Sequence, residues 1–179
     1  LFSNTDQERQ PVNVNQLMAE ALDLMREELN AYRIEISVQQ ASQLPPIMAH
    51  KGQLREVILN LIQNAIEAMK ALSCRRRILR IKTDRHGSEA ILISVEDTGP
   101  GIEPETMKTI FEPFFSTKTK GMGLGLAISK SIVERHHGEL SVSSEIDGGA
   151  RFQITLPIKA TAEQELPVKL VNVSQIPIS

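Results

Sequence analysis

Apolar residues recur every three or four positions over three segments of the chain, which is the spacing of an amphipathic helix. The first predicted helix is capped by Asn13 or Asn15 and runs to about Asn30. Its apolar stripe consists of Leu17, Ala21, Leu22, Leu24 and Met25. The longest predicted helix covers residues 52–71, and the third covers residues 124–137.

Five further segments show strand patterns. Ile34, Ile36 and Val38 alternate with polar residues, which predicts a half-buried strand. The other predicted strands cover residues 78–83, 90–96, 140–144 and 152–156. A short helix at 105–110 follows Pro104, because proline is favoured in the first helical turn. Helices packed on one face of a mixed sheet give a two-layer α/β sandwich.

The bulk properties of the chain exclude several classes of protein. Its 179 residues fit one domain with tails, and the net charge of −2 gives no electrostatic reason to expect nucleic acid as a partner. A single cysteine, Cys74, excludes an internal disulfide framework and suits a reducing compartment. No apolar run approaches the roughly 20 residues that span a bilayer, so we expect no direct membrane contact. The first residue is leucine, and we therefore expect a domain of a longer protein.

Two asparagines lie on one face of the longest predicted helix. Asn60 and Asn64 follow Glu56 at intervals of four residues, so the three side chains point the same way. Asparagine is a poor helix former, which makes two of them on one stripe costly. An amide oxygen is a suitable ligand for Mg²⁺ that also bridges to phosphates. The alternative is that both asparagines simply face solvent.

An aspartate ends the strand predicted at 90–96. Asp97 is followed by the glycine-rich turn at 98–101, which allows a flat ring to approach the backbone. A carboxylate there can accept a hydrogen bond from the amino group of adenine, whereas guanine presents an oxygen at the equivalent place. An unpaired buried partner costs on the order of 1–3 kcal/mol, so the site would discriminate between the two bases. The alternative is an ordinary Asx-type turn.

Glycines alternate through residues 121–126, immediately before the third predicted helix. Backbone N–H groups can converge there, and a helix that begins near Leu124 directs its positive end at the same place, which favours an anion. Lys118 and Lys120 add charge for phosphates, or alternatively form a solvated surface. The aperiodic segment 112–122 is predicted to be a lid.

Taken together, these motifs resemble the catalytic, ATP-binding domain of bacterial sensor histidine kinases, within the gyrase–chaperone–kinase–MutL ATPase superfamily. The match runs from about residue 11 to 157 and follows the order of that family's boxes. They are the N box at 54–65, the first glycine box at 95–102, the F box at 110–118, the second glycine box at 121–126 and the last glycine box at 148–152. Residues 64–69 and the short lid are most similar to the nitrogen-regulation and oxygen-sensing subgroup.

The resemblance implies a Bergerat-type sandwich, with a mostly antiparallel mixed sheet, that binds Mg-ATP between the long helix and the lid. It implies Asn64 as the Mg²⁺ ligand, Asn60 beside the metal and phosphates, and Asp97 on the adenine amino group. Asn60, Asn64 and Lys118 are the implied catalytic residues. The implied nucleotide-binding residues are Asn60, Asn64, Asp97, Gly99, Gly101, Ile102, Phe115, Thr117, Lys118, Gly121, Gly123, Leu124, Gly125 and Leu126. Two residues depart from the family pattern, Ala150 where a hydroxyl is common and Glu67 where a cation is common.

The resemblance also implies the partners and the domain plan. The γ-phosphoryl group of ATP would pass to a histidine on a separate helical hairpin of the same dimeric kinase, and from there to a response regulator receiver domain. None of the four histidines here is followed by an acidic residue, so the acceptor is expected elsewhere. Residues 1–10 are then a linker, 11–158 the catalytic domain and 159–179 a tail of unknown role. The domain is expected in the cytoplasm, with the anchoring of the parent protein left open.

Three other functions remain open or disfavoured on sequence alone. A serine kinase of the anti-sigma-factor type has a similar ATP site, and a non-catalytic nucleotide-binding module is weakly favoured by Ala150 and Glu67. A clamp-type ATPase is disfavoured, because that branch places a water-activating carboxylate where Asn60 stands.

Overall fold

The computed structural model describes residues 8–73, 76–115, 123–145 and 148–158. In chain order the elements are β1 (Gln10–Val12), α1 (Val14–Leu24), α2 (Arg26–Ala31), β2 (Glu35–Gln40), β3 (Ile47–Ala49), α3 (Lys51–Lys70), β4 (Ile78–His86), β5 (Ala90–Asp97), α4 (Pro104–Thr109), α5 (Gly125–Arg135), β6 (Glu139–Glu145) and β7 (Gly149–Pro157).

The main sheet has five strands in the order β2–β4–β5–β7–β6. Only β2 and β4 run parallel, and the other neighbours are antiparallel. The inward-facing residues of β4, β5 and β7 alternate along each strand and are buried beneath α1, α3 and α5. The predicted two-layer sandwich with a mostly antiparallel mixed sheet is therefore confirmed.

The central helix α3 agrees with its predicted position to within one residue at each end. Eight of its apolar side chains are buried and recur at helical spacing, which fixes the face that the helix turns to the sheet. These buried residues are Leu54, Val57, Ile58, Leu61, Ile62, Ala65, Ile66 and Met69. The polar stripe that includes Asn60 and Asn64 is thereby placed on the flank of the core.

The first predicted helix differs from the structure at its centre. Asn13 caps it as expected, since its side chain accepts a hydrogen bond from the Gln16 N–H at 3.1 Å. The chain leaves helical geometry at Met25 and resumes as α2, so one long helix was the wrong prediction. Leu24 lies at this break with 64% of its surface exposed, and Met18 is buried instead.

Of the three apolar residues in the strand predicted as half-buried, Ile34 is buried but precedes β2, and β2 itself is exposed along its whole length. Ile36 and Val38 retain 43% and 44% exposure even though they pair with Leu79 and Ile81 on the core side of β4. The physical reason is position: β2 is an edge strand, so it has a neighbour on one side only.

A second, two-stranded sheet pairs β1 with β3. Sequence patterns did not predict it, because each strand has three residues and the two are far apart in the chain. Within the described ranges, no helix has the length and apolar character needed to cross a bilayer.

Candidate functional site

Asp97 ends the central strand β5 with its side chain turned into the protein. Only 3% of its surface is exposed. Its Oδ1 accepts a hydrogen bond from the Gly99 N–H at 2.7 Å and a longer one from the Ala150 N–H at 3.4 Å. Both donors use the same oxygen, so among the described residues Oδ2 is left for a ligand. Asp97 can therefore make the predicted Asx-type contact through Oδ1 and still bind a base through Oδ2.

Burial raises the pKa of Asp97 to about 6, and the neighbouring Glu96 carboxylate adds to the effect. The two backbone N–H groups act in the opposite direction but do not cancel the cost of removing the charge from water. A buried carboxylate that keeps one open oxygen at a strand end is a typical binding group rather than a stabilising one.

The turn after Asp97 packs directly on α3. A Cβ atom built on Gly99 would lie 2.6 Å from Asp97 Oδ1 and 3.0 Å from the Ala68 Cβ. Residue 99 therefore has no room for a side chain, because the turn is pressed between the carboxylate and the helix. This close approach accounts for the glycine that the sequence places there.

Asn60 lies on the same face of α3 as Ala68, nearer the start of the helix, and it contacts the beginning of α5. Its Nδ2 donates a hydrogen bond to the hydroxyl of Ser129 at 3.0 Å. A Cβ atom built on Gly125 would lie 2.5 Å from Asn60 Oδ1, so the carboxamide fills the place of a side chain at residue 125. Ser129 is 2% exposed, and Asn60 is half-buried. The alternative that Asn60 faces solvent is excluded by these contacts.

Asn60, Asn64 and Ala68 form a stripe along α3, one helical turn apart. The stripe spans about 12 Å at 1.5 Å per residue. Its first residue contacts α5 at Gly125, and its last contacts the turn after Asp97 at Gly99. Asn64 lies between these two contacts and is half-buried. The stripe thus joins a helix N-terminus to a buried carboxylate.

A second loop supports the carboxylate from the side of β6 and β7. The hydroxyl of Ser144 accepts from the Ile102 N–H and donates to the Gly149 carbonyl, both at 2.7 Å. Gly101, next to Ile102, has a positive φ of 83°. Sequence reasoning identified Gly101 and Ile102 but missed Ser144 and Ser129, since a lone serine in a strand or helix carries no pattern.

Gly149 provides a prediction about stability. Its φ is +86°, and a Cβ atom there would lie 1.9 Å from the Asp97 carbonyl oxygen. We expect Gly149→Ala to lower the free energy of unfolding by about 2–3 kcal/mol, because the backbone at Asp97 has to move. The matched control is Gly87→Ala, since Gly87 has a φ of +65° but nothing within 4 Å. Urea unfolding should show a loss of only about 1 kcal/mol for the control. Equal losses for both variants would contradict the clash.

Four of the remaining predicted residues lie outside the part of the chain that the structure describes, and the others lie within it. Thr117, Lys118, Lys120 and Gly121 are the four that lie outside it. Gly123 has a positive φ of 67°, and a Cβ atom there would meet the Phe115 carbonyl oxygen at 2.6 Å. Leu124 is the N-cap of α5, and Leu126 packs against the core from its first turn. Phe115 is half-buried, whereas the adjacent Phe114 is 78% exposed.

Ala150 and Glu67 depart from the family pattern, and the structure shows which groups surround each of them. Ala150 is 5% exposed, and its contribution to Asp97 is a backbone N–H that needs no hydroxyl. Glu67 accepts a hydrogen bond from Gln63 Nε2 at 3.3 Å, and Gln63 also donates to Glu28 of α2. Glu67 therefore belongs to a polar cluster between α3 and α2.

The donor set fits a magnesium nucleotide. The open Asp97 oxygen suits an amino group, the Asn60 and Asn64 carboxamides suit a hard cation, and the N-terminus of α5 suits an anion. Within the described ranges, no group of three or more His, Cys, Asp or Glu side chains is arranged to hold a metal.

Comparison with known sequences gives one family and many relatives. The sequence model for histidine kinase-, DNA gyrase B- and HSP90-like ATPases matches residues 49–160. The sensor protein TdiS of Thauera aromatica is 36% identical over 152 residues, which cover 84% of this chain and 28% of that protein. The chain therefore spans less than a third of the length of this curated relative.

Solved structures show the same fold. A full-length ShkA structure in complex with AMPPNP has a TM-score of 0.74 at 31% identity, covering 85% of this chain and 32% of that chain. The histidine kinase ThkA in complex with the response regulator protein TrrA has a TM-score of 0.71 at 27% identity, covering 84% and 42%.

Proposed function

The chain belongs to the family of histidine kinase-, DNA gyrase B- and HSP90-like ATPases, and from this membership we propose that it binds Mg-ATP as the catalytic domain of a sensor histidine kinase. The observation that supports the proposal best is the α3 stripe, because it joins the buried Asp97 carboxylate to the N-terminus of α5. The curated relative TdiS is named a sensor protein, and the ShkA neighbour was solved with AMPPNP.

Adenine is proposed to lie at the Asp97 end of the stripe. Oδ2 of Asp97 accepts from the adenine amino group, while Oδ1 remains bonded to the backbone N–H groups of Gly99 and Ala150. Gly101 and Ile102 line the base on the adjacent loop. The close packing of Gly99 on Asp97 and Ala68 fixes the turn beside the base.

The triphosphate is proposed to lie at the other end, against the N-terminus of α5. Backbone N–H groups of residues 123–126 receive the phosphate oxygens, with Thr117, Lys118 and Gly121 completing the cradle. Asn64 coordinates Mg²⁺, and Asn60 stands beside the metal and the phosphates. When bound, Mg²⁺ neutralises phosphate charge and stabilises the charge that develops during transfer.

We propose that the γ-phosphoryl group passes to a histidine on a separate hairpin of the same dimeric kinase and then to a response regulator. The neighbour ThkA was solved with such a regulator. The chain's own part is positioning and charge stabilisation, with Lys118 near the transferred group. In this plan residues 11–158 form the catalytic domain in the cytoplasm, residues 1–10 lead in from the hairpin, and the role of residues 159–179 is open.

The type of phosphate formed tests this proposal. Incubating the chain with Mg-ATP and the purified hairpin of the parent kinase should give phosphate that is stable in base and labile in acid, as expected of phosphohistidine. Acid-stable phosphoserine would instead assign the chain to the serine kinases. Saturable ATP binding without transfer to any hairpin would favour a regulatory module.

The raised pKa of Asp97 predicts how ATP binding depends on pH. A proton on Asp97 would sit on Oδ2, because Oδ1 accepts the two backbone N–H bonds, and it would remove the acceptor for the adenine amino group; the pKa of this carboxyl is about 6. Because the proton competes with the base, we expect affinity to be constant above about pH 7 and to fall about tenfold by pH 5. Calorimetric titration at several pH values measures this.

Asp97→Asn is the control for that experiment. The amide does not titrate, so any remaining pH dependence in this variant belongs to the phosphates of ATP. Its carbonyl oxygen is bonded to the N–H groups of Gly99 and Ala150 and its NH₂ group faces the base, so the variant should bind ATP more weakly than wild type at every pH. If wild type and Asp97→Asn lose affinity in parallel between pH 7 and 5, the carboxylate is not in contact with the base.

A further inference from the structure

We propose that Ser129 is a positioning residue for the metal site: its hydroxyl fixes the Asn60 carboxamide with the oxygen turned toward the N-terminus of α5. The inference rests on the proposed Mg-ATP function, because it concerns the same cleft. Ser129 is 2% exposed and belongs to none of the sequence motifs in the chain.

The first step is the direction of the hydrogen bond. Asn60 Nδ2 donates to Ser129 Oγ at 3.0 Å, which commits the amide nitrogen to α5 and, among the described residues, leaves Oδ1 as the open acceptor. In this geometry the Ser129 hydroxyl accepts from the amide nitrogen, while Oδ1 faces Gly125 and not the hydroxyl. The contact therefore holds the carboxamide in the orientation that turns Oδ1 to the beginning of α5.

The second step is where the free oxygen points. Asn60 Oδ1 lies against Gly125, where a Cβ atom would come within 2.5 Å of it. Gly125 and Ser129 are four residues apart on α5, so both lie on the face that packs on α3. The absence of a side chain at 125 admits the carboxamide, and the hydroxyl at 129 orients it. Together they direct an amide oxygen toward the helix end where phosphates are proposed to bind.

The third step is the chemical consequence of the opposite orientation. A flipped carboxamide would present its NH₂ group, which repels a cation and offers no lone pair. Without Ser129, both orientations become accessible, and metal binding has to select one. Because one buried hydrogen bond is lost, we expect Ser129→Ala to weaken Mg²⁺-dependent binding of a non-hydrolysable ATP analogue about three- to tenfold. Binding in EDTA should change by less than twofold.

A double-mutant cycle separates positioning from a general packing role. The four proteins are wild type, Ser129→Ala, Asn60→Ala and the double variant, each titrated calorimetrically with the analogue at several Mg²⁺ concentrations. If Ser129 acts through Asn60, its replacement has no further effect once Asn60 is alanine. Additive losses, or an equal loss in EDTA, would overturn the inference.

Two further variants keep the test decisive. Ser131→Ala is the matched control, because Ser131 lies two residues later on α5 with its side chain exposed, and it should bind like wild type. If Ser129→Ala fails to fold, Ser129→Cys keeps a side chain of the same shape and slightly larger size while supplying a much weaker acceptor, and the same Mg²⁺-specific loss is expected. Failure of wild type to bind the analogue would overturn the proposed function itself, whereas wild-type-like binding by the Ser129 variants would overturn only the positioning role.

Discussion

Replacing Asp97 with alanine is expected to weaken ATP binding by two to three orders of magnitude. The variant removes the charged acceptor for the adenine amino group, and an unpaired partner of a buried charged contact costs several times RT. It also leaves the N–H groups of Gly99 and Ala150 without their shared acceptor, so the base-binding turn loses its support. Calorimetric titration with Mg-ATP measures the loss.

Glu96 provides the matched control for Asp97. It precedes Asp97 on β5 but points to the opposite face of the sheet, where its two carboxylate oxygens bind Arg80 and Arg151 at 2.7 Å each. Glu96→Gln should therefore leave ATP affinity within about twofold, since these surface pairs contribute little. A thermal unfolding curve confirms that each variant is folded. If Asp97→Ala binds ATP within threefold of wild type, adenine does not use this carboxylate.

Replacing Asn64 with alanine is expected to reduce phosphotransfer at least 100-fold while leaving Mg²⁺-free nucleotide binding nearly intact. Asn64 is the proposed amide ligand, and its loss removes a protein contact to the cation that stabilises phosphate charge. Its neighbours on α3 are buried or half-buried, so the helix itself should persist. The rate of phosphate transfer to the hairpin and the affinity in EDTA are measured in parallel.

Asn30 supplies a control of the same residue type. It lies on α2 with its side chain exposed, and its backbone carbonyl accepts from the Arg33 N–H. Asn30→Ala should transfer phosphate at the wild-type rate. An equal loss of binding with and without Mg²⁺ in Asn64→Ala would contradict a metal-ligand role, because it would indicate a general disruption of the cleft.

The sequence predicted the parts of the fold that depend on local pattern. The helical period of α3 fixed both its length and its buried face, because eight apolar residues agree with one orientation. The position of Asp97 at a strand end followed from the apolar run before it. Both features are properties of a single continuous segment.

The features that were missed depend on neighbours distant in the chain. The exposure of Ile36 and Val38 results from the edge position of β2, which no pattern within the strand reveals. The pairing of β1 with β3 joins two three-residue strands more than 30 residues apart. Ser129 acquires its role only through Asn60, which lies 69 residues earlier. Sequence periodicity identifies which face of an element is buried, but not which residue of another element packs against that face.

A crystal structure of the chain with Mg²⁺ and a non-hydrolysable ATP analogue would show whether the nucleotide lies between Asp97 and α5. We expect the adenine amino nitrogen about 3 Å from an Asp97 carboxylate oxygen, a metal bound to the Asn64 carboxamide, and phosphates at the N-terminus of α5. A nucleotide bound elsewhere on the surface, with Asp97 still covered and no metal at Asn64, would contradict this placement.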